Sequence, residues 1–143
     1  MGPGDATREQ VELAERVGRG LGERGAVLVC GGLDGVMAAA CRGATGADAL
    51  TVGILPGTDR QAANEWVRIA ITTGMGELRN GLVVRAADVV IAIGGAYGTL
   101  SEIALAVKTG VPVVGLDTWQ LDAIEVVGDA DAAVTRALEL AAG

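Results

Sequence analysis

Two glycine-rich segments hold the residues best suited to chemistry. The first is Cys30-Gly31-Gly32-Leu33-Asp34-Gly35-Val36-Met37, and the second is Gly94-Gly95-Ala96-Tyr97-Gly98-Thr99-Leu100-Ser101-Glu102. Each follows an apolar run and precedes a stretch with helical spacing, so each reads as a strand ending, a turn and a helix beginning. A helix N-terminus there offers unpaired N–H groups and a partial positive charge, and glycine lets the backbone come close to a ligand; a phosphate suits both. Gly31, Gly32 and Gly35, with Gly94, Gly95, Gly98 and Thr99, are therefore the candidate phosphate-binding residues. The same glycines would also serve tight turns and close helix–strand packing. Thr99 and Glu102, three residues apart, would equally form a capping box. Two such turns in one small sheet are hard to explain by packing alone; as neighbours in space they make one concave anion-binding nest.

Arg79 follows Gly74-Met75-Gly76 and opens a helix that leads into the strand before the second turn. There it can clamp a phosphate through two N–H groups, or sit on the surface in an ion pair. Asn80 beside it can bond a base, sugar or pterin. Pro56-Gly57-Thr58-Asp59 closes another strand at the same edge and helps frame the pocket. Tyr97 sits in a loop, to stack on a ring or to pack on a neighbouring subunit. The chain has no histidine, which removes histidine-based acid–base catalysis and most zinc sites, so no metal site is expected. Chemistry falls to carboxylates, Arg, Lys, Tyr, hydroxyls and backbone amides.

The elements that must position these groups alternate. Ala6–Arg24 reads as a helix, with Leu13, Val17 and Leu21 at helical spacing and Asp5 or Thr7 to cap it. Strands are expected at 26–30, 50–55, 67–71, 88–93, 112–116 and 124–127, and helices at 36–44, 77–86, 99–108 and 129–142. Thr58–Glu65 reads as a polar loop. Strands alternating with helices predict an α/β, Rossmann-like, doubly wound parallel sheet with helices on both faces, in one domain over 1–143. In such sheets ligands bind beyond the carboxyl ends of the strands, where every unusual cluster here lies. The chain opens on Met1-Gly2-Pro3-Gly4 with no strand before it, so the sheet appears without its usual first strand.

Composition narrows the partners. The formal net charge is −7 and no basic stripe is present, so a nucleic acid is not expected as a partner. No apolar run is long enough to span a membrane. Cys30 and Cys41 lie in or beside apolar segments and read as buried reduced thiols, which points to the cytoplasm. Leu78, Leu82 and Val83 on one helix, with Leu100, Ile103, Leu105 and Val107 on another, are more apolar surface than one sheet face covers. A homo-oligomer, dimer or tetramer, is expected.

The run from Gly74 to Glu102, together with the Gly31-Gly32 to Met37 turn, resembles the LOG-like (SLOG) superfamily. Its enzymes hydrolyse the N-glycosidic bond of cytokinin nucleoside 5′-monophosphates and carry a Pro-Gly-Gly-x-Gly-Thr-x-x-Glu signature preceded by Arg-Lys. Gly95, Gly98, Thr99, Glu102 and Arg79 match; Gly94, Ala96 and Asn80 stand where the signature has Pro, Gly and Lys. The chain is more similar to the superfamily branch that contains the molybdenum cofactor carrier protein. That likeness rests on Met1-Gly2-Pro3-Gly4, Ile54-Leu55-Pro56-Gly57, Thr73-Gly74-Met75-Gly76 with Arg79, and Glu102-Ile103-Ala104-Leu105-Ala106. The resemblance implies a binding protein for a phosphate-bearing, nucleotide-like ligand, with molybdenum cofactor or a nucleotide bound and no further cofactor required. The alternative it implies is a phosphoribohydrolase, with Glu102 beside the ribose as the catalytic carboxylate and Arg79 steadying the departing base.

Overall fold

The computed structural model describes residues 1–143. Helix α1 (Arg8–Glu23) begins at Thr7, whose Oγ1 accepts from the Gln10 N–H while the Gln10 side chain accepts from the Thr7 N–H. This reciprocal cap satisfies two donors that a helix start otherwise leaves open. Strand β1 (Leu28–Cys30), helix α2 (Val36–Gly46) and strand β2 (Thr51–Leu55) follow. The loop after β2 contains a 3-10 turn, Arg60–Ala62, started by the Asp59 carboxylate accepting from the Gln61 N–H. Strand β3 (Ile69–Thr72) leads to a second 3-10 turn, Gly76–Arg79, which runs straight into helix α3 (Asn80–Arg85). The helix expected over 77–86 is thus two pieces, with Arg79 at their joint. Strand β4 (Val90–Gly94), helix α4 (Tyr97–Thr109), strands β5 (Val113–Thr118) and β6 (Glu125–Val127), and helix α5 (Ala130–Ala142) complete the chain.

All strand pairs are parallel, but they form two sheets, β1-β2-β3 and β4-β5-β6. Helices α1, α2 and α5 cover one face over a core that includes Val17, Val36, Ile93, Val114, Leu116 and Val134. Helices α3 and α4 lie on the other, where Val84, Val90, Ala92, Ile103, Ala106 and Val113 pack together. This is the doubly wound arrangement expected from the alternation of elements, with its strands paired as two three-stranded sheets. Met1 lies along β4: its amine donates to Ile91 O at 2.6 Å, and Ile93 N–H donates to its carbonyl at 2.7 Å. No helix is long and apolar enough to cross a membrane.

Candidate functional site

The carboxyl ends of β1 and β4 carry the two glycine turns, and the opening loop of the chain lies between them. Val36 N–H donates to Pro3 O at 3.0 Å, which ties the start of α2 to that loop. At Gly35, with φ +65°, a Cβ would come within 2.4 Å of both Pro3 O and Gly4 O; at Gly94, with φ +85°, it would come within 2.7 Å of Pro3 Cδ. Both positions need glycine for conformation and for space. The two turns are therefore neighbours, bridged by Pro3.

Arg79 reaches the same place from the joint before α3. A Cβ at Gly31 would meet its Nη2 at 2.7 Å, so the guanidinium lies directly against the first turn. Arg79 is only 8% exposed. Its Nη1 donates to the Asn80 side-chain oxygen, while its Nε is buried without a partner. The ion pairs of the chain are all elsewhere. Asn80 thus meets Arg79 directly, as the first residue of α3.

Helix α4 starts at Ala96, which has extended backbone and no side-chain cap. Its first-turn amides, Tyr97, Gly98 and Thr99, consequently have no partner within the helix, and they lie at its positive end. The capping-box reading of Thr99 and Glu102 does not hold. Thr99 is the third residue inside α4, buried, and its Oγ1 has no hydrogen-bond partner. Gly95 and Gly98 are exposed, and a Cβ on either would meet nothing within 4 Å, so the turn is open on its outer side. Gly32, by contrast, packs on β2: a Cβ there would meet Leu55 Cδ2 at 2.8 Å.

Glu102, one turn further along α4, is 8% exposed. Burial pushes its pKa above the usual carboxylate value, opposed by the positive charges of the Met1 amine and Arg79. The same burial lowers the pKa of the Met1 amine, with Glu102 and Cys30 opposing. Cys30 and Cys41 are free and buried, with their sulfurs 3.5 Å apart. The Cys41 thiol bonded to Cys30 brings Cys30 down to about 7, and the same contact pushes Cys41 up. A buried guanidinium, a buried carboxyl, an orphaned hydroxyl and a free helix N-terminus can together hold an anion and orient what is attached to it.

Three supporting residues were not identified from the sequence. Asn64 clamps the first turn: its N–H donates to Gly32 O at 2.9 Å and its side-chain amide to Leu33 O at 2.9 Å. Thr118 Oγ1 bonds Gly94 O, and Trp119 Nε1 donates to Ala96 O at 3.3 Å. Trp119 also meets Tyr97, with ring centroids 6.0 Å apart, so Tyr97 leans on its own chain while remaining exposed. Only the polar setting of Asn64 between Pro56-Gly57 and Trp66 was a signal for any of these. The Pro56-Gly57 turn is tied to the Arg79 segment through Gly76 N–H to Pro56 O at 2.9 Å and Gly74 N–H to Gly57 O at 3.0 Å.

The likenesses to known proteins agree with this layout. Among solved structures, the molybdenum cofactor binding protein of Rippkaea orientalis superposes with a TM-score of 0.92 at 36% identity, over 98% of this chain and 93% of that one. The molybdenum cofactor carrier protein of Chlamydomonas reinhardtii does so with a TM-score of 0.93 at 34% identity, over 100% of this chain and 96% of that one. An uncharacterized protein of Archaeoglobus fulgidus is 43% identical over 116 residues, which is 81% of this chain and 76% of that protein. The SLOG cluster4 family model matches residues 1–142, from the Gly-Pro-Gly loop through both glycine turns to the last helix, and the chain therefore belongs to the SLOG cluster4 family.

Proposed function

We propose that this chain binds molybdenum cofactor, or a closely similar pterin phosphate, as cargo and does not transform it. The observation that carries the reading is a pair of buried, partnerless polar atoms: Nε of Arg79, whose guanidinium lies against the first glycine turn, and Thr99 Oγ1, in the first turn of the uncapped α4. An unsatisfied buried donor costs about 1–3 kcal/mol, and a phosphate would satisfy both groups at once. Arg79 would hold the phosphate by charge and by its planar fork, Thr99 by its hydroxyl, and the Tyr97, Gly98 and Thr99 amides by the helix dipole. The open side at Gly95 and Gly98 leaves room for the rest of the ligand. The likeness to two molybdenum cofactor proteins over nearly the whole chain supports the pterin.

One observation favours a second reading. Glu102 is a buried carboxyl with a raised pKa close to Arg79, which suits an N-glycosidase acting on nucleoside 5′-monophosphates. One assay separates the two. The chain is incubated with AMP and with cytokinin monophosphates, and free base is measured. The carrier reading expects none; base release that disappears in Glu102→Gln establishes the hydrolase instead. We further infer a cytoplasmic setting, from the two free thiols, and a homo-oligomer.

A further inference from the structure

Two thiols stand at the root of the first glycine turn, and the proposed ligand site makes no use of them. Cys30 ends β1 and Cys41 sits midway along α2, so the Gly31–Gly35 turn connects the two elements that carry them. Both are free and buried, with their sulfurs in contact at 3.5 Å. Cys30 Sγ also accepts from the Gly32 N–H at 3.3 Å. Gly32 is thus held from two sides, its amide by Cys30 and its carbonyl by Asn64.

The two thiols are unequal. The Cys41 thiol bonded to Cys30, the Gly32 N–H and the charges of the Met1 amine and Arg79 favour the Cys30 thiolate against burial, and bring Cys30 to about 7; Cys41 is pushed up. A large share of Cys30 is then thiolate at neutral pH, the form that reacts with a peroxide, with a protonated thiol already touching it. Cys30 adjoins the turn, so local opening of the turn brings a small oxidant to it without movement of the core. Cys41 needs no access of its own, because it has only to meet Cys30.

We propose that Cys30 and Cys41 are a redox pair that governs the first glycine turn: a hydroperoxide converts them to an internal disulfide, which releases Gly32 and weakens the hold on the ligand. The Cys30 thiolate attacks the terminal oxygen of the peroxide; an S–O bond forms, the O–O bond breaks and the alkoxide or hydroxide leaves. The Cys41 sulfur then attacks the Cys30 sulfenic acid; the S–S bond forms, the S–O bond breaks, and the hydroxide departs as water with the Cys41 proton. Two electrons pass from the two thiols to the peroxide, and a dithiol reverses the change. In a reducing compartment such a disulfide is transient, as a sensing one must be.

A disulfide holds its sulfurs at about 2.05 Å, so the pair must close by about 1.5 Å. Helix α2 is poorly placed to move, because it packs backbone to backbone on α1: a Cβ at Gly18 would come within 2.0 Å of Ala40 O, and one at Gly43 within 2.0 Å of Glu15 O. The shift falls on Cys30 and the glycines after it, where Gly31 lies against Arg79 Nη2. A disulfide sulfur is also a poorer acceptor than a thiolate, so the Gly32 N–H loses its partner. The effect on the ligand rests on the reading of this turn as part of the cargo site.

The chain is treated with a few equivalents of hydrogen peroxide at neutral pH, freed of peroxide, and compared with the untreated chain and with the treated chain after dithiothreitol. The treated chain should lose both thiols and two hydrogens by intact mass and remain unlinked to other chains. Its Gly32 amide should exchange at least about tenfold faster. It should also retain about tenfold less molybdenum cofactor through gel filtration, and dithiothreitol should reverse each change. In Cys41→Ala the same treatment should add oxygen to Cys30 instead. Thiols that survive in the parent, oxygen gained where hydrogen should be lost, or a disulfide between two chains overturns the redox pair. A disulfide that leaves Gly32 exchange unchanged, or retention undiminished in a chain that does hold cofactor, overturns its control of the turn. An untreated chain that holds no cofactor overturns the cargo reading, and the disulfide and Gly32 exchange then decide the redox pair by themselves.

Discussion

Arg79 and Thr99 are where local chemistry is least satisfied and where substitution is most informative. Arg79→Ala removes the buried guanidinium placed against the first turn, and ligand retention should fall at least about tenfold by equilibrium binding, since charge-assisted phosphate contacts are among the stronger hydrogen bonds. Retention equal to the parent would take Arg79 out of the site. Glu102 makes a prediction in pH. Its folded pKa is raised by burial, so the folded chain holds that proton more tightly than the unfolded chain does. Stability from this group is full below its ordinary value of 4.5 and is lost as pH rises through the folded value. Glu102→Gln should therefore melt higher than the parent at neutral pH, with the difference closing below about pH 4.5. A difference that widens on acidification would contradict the burial argument. The sequence contained Arg79, Thr99 and Glu102 as candidates, because strand–glycine–helix spacing marks them. It left open whether Thr99 caps the helix, since that depends on which residue adopts extended backbone. That residue is Ala96. Trp119 was not legible, because its contact with the second turn joins residues 23 apart through a strand.

The glycine turns differ from one another as elements. Gly94 and Gly35 are held against Pro3, so alanine at either should destabilise the chain by about 1–3 kcal/mol in chemical denaturation, through a close contact and a left-handed backbone. Gly95 and Gly98 meet nothing, and alanine at Gly98 replaces a poor helix former within α4. Gly98→Ala should hold or raise the melting temperature while weakening ligand retention, because the methyl group projects from the turn where the ligand is placed. Unchanged retention would move the ligand off this turn. Strand and helix order was readable from the alternation of apolar runs and breakers. Boundaries were less so: the helix expected over 77–86 divides into a 3-10 turn and α3, because Gly76 enters at φ +60° and the Pro56 carbonyl holds its N–H. That division sets Arg79 at the joint, buried instead of on a helix surface.

Across the whole molecule, the alternation of strands and helices predicted a doubly wound parallel fold, and the likenesses over nearly the full chain agree. What it did not reveal is that the strands pair as two three-stranded sheets, because pairing is a long-range property of the backbone. Leu78 is 77% exposed on the outer surface near Leu82, and Val107 lies exposed on α4. Sedimentation should find the parent as a dimer or larger, and Leu78→Asp should shift it toward monomer; a monomeric parent would contradict this assembly. The most direct test of the central claim is retention of cargo. The chain is mixed anaerobically with molybdenum cofactor released from a donor protein and passed through gel filtration, and molybdenum and pterin are assayed in the protein peak. The account predicts that both travel with the chain in stoichiometric amount and are largely lost from Arg79→Ala; a parent chain that retains neither would contradict it.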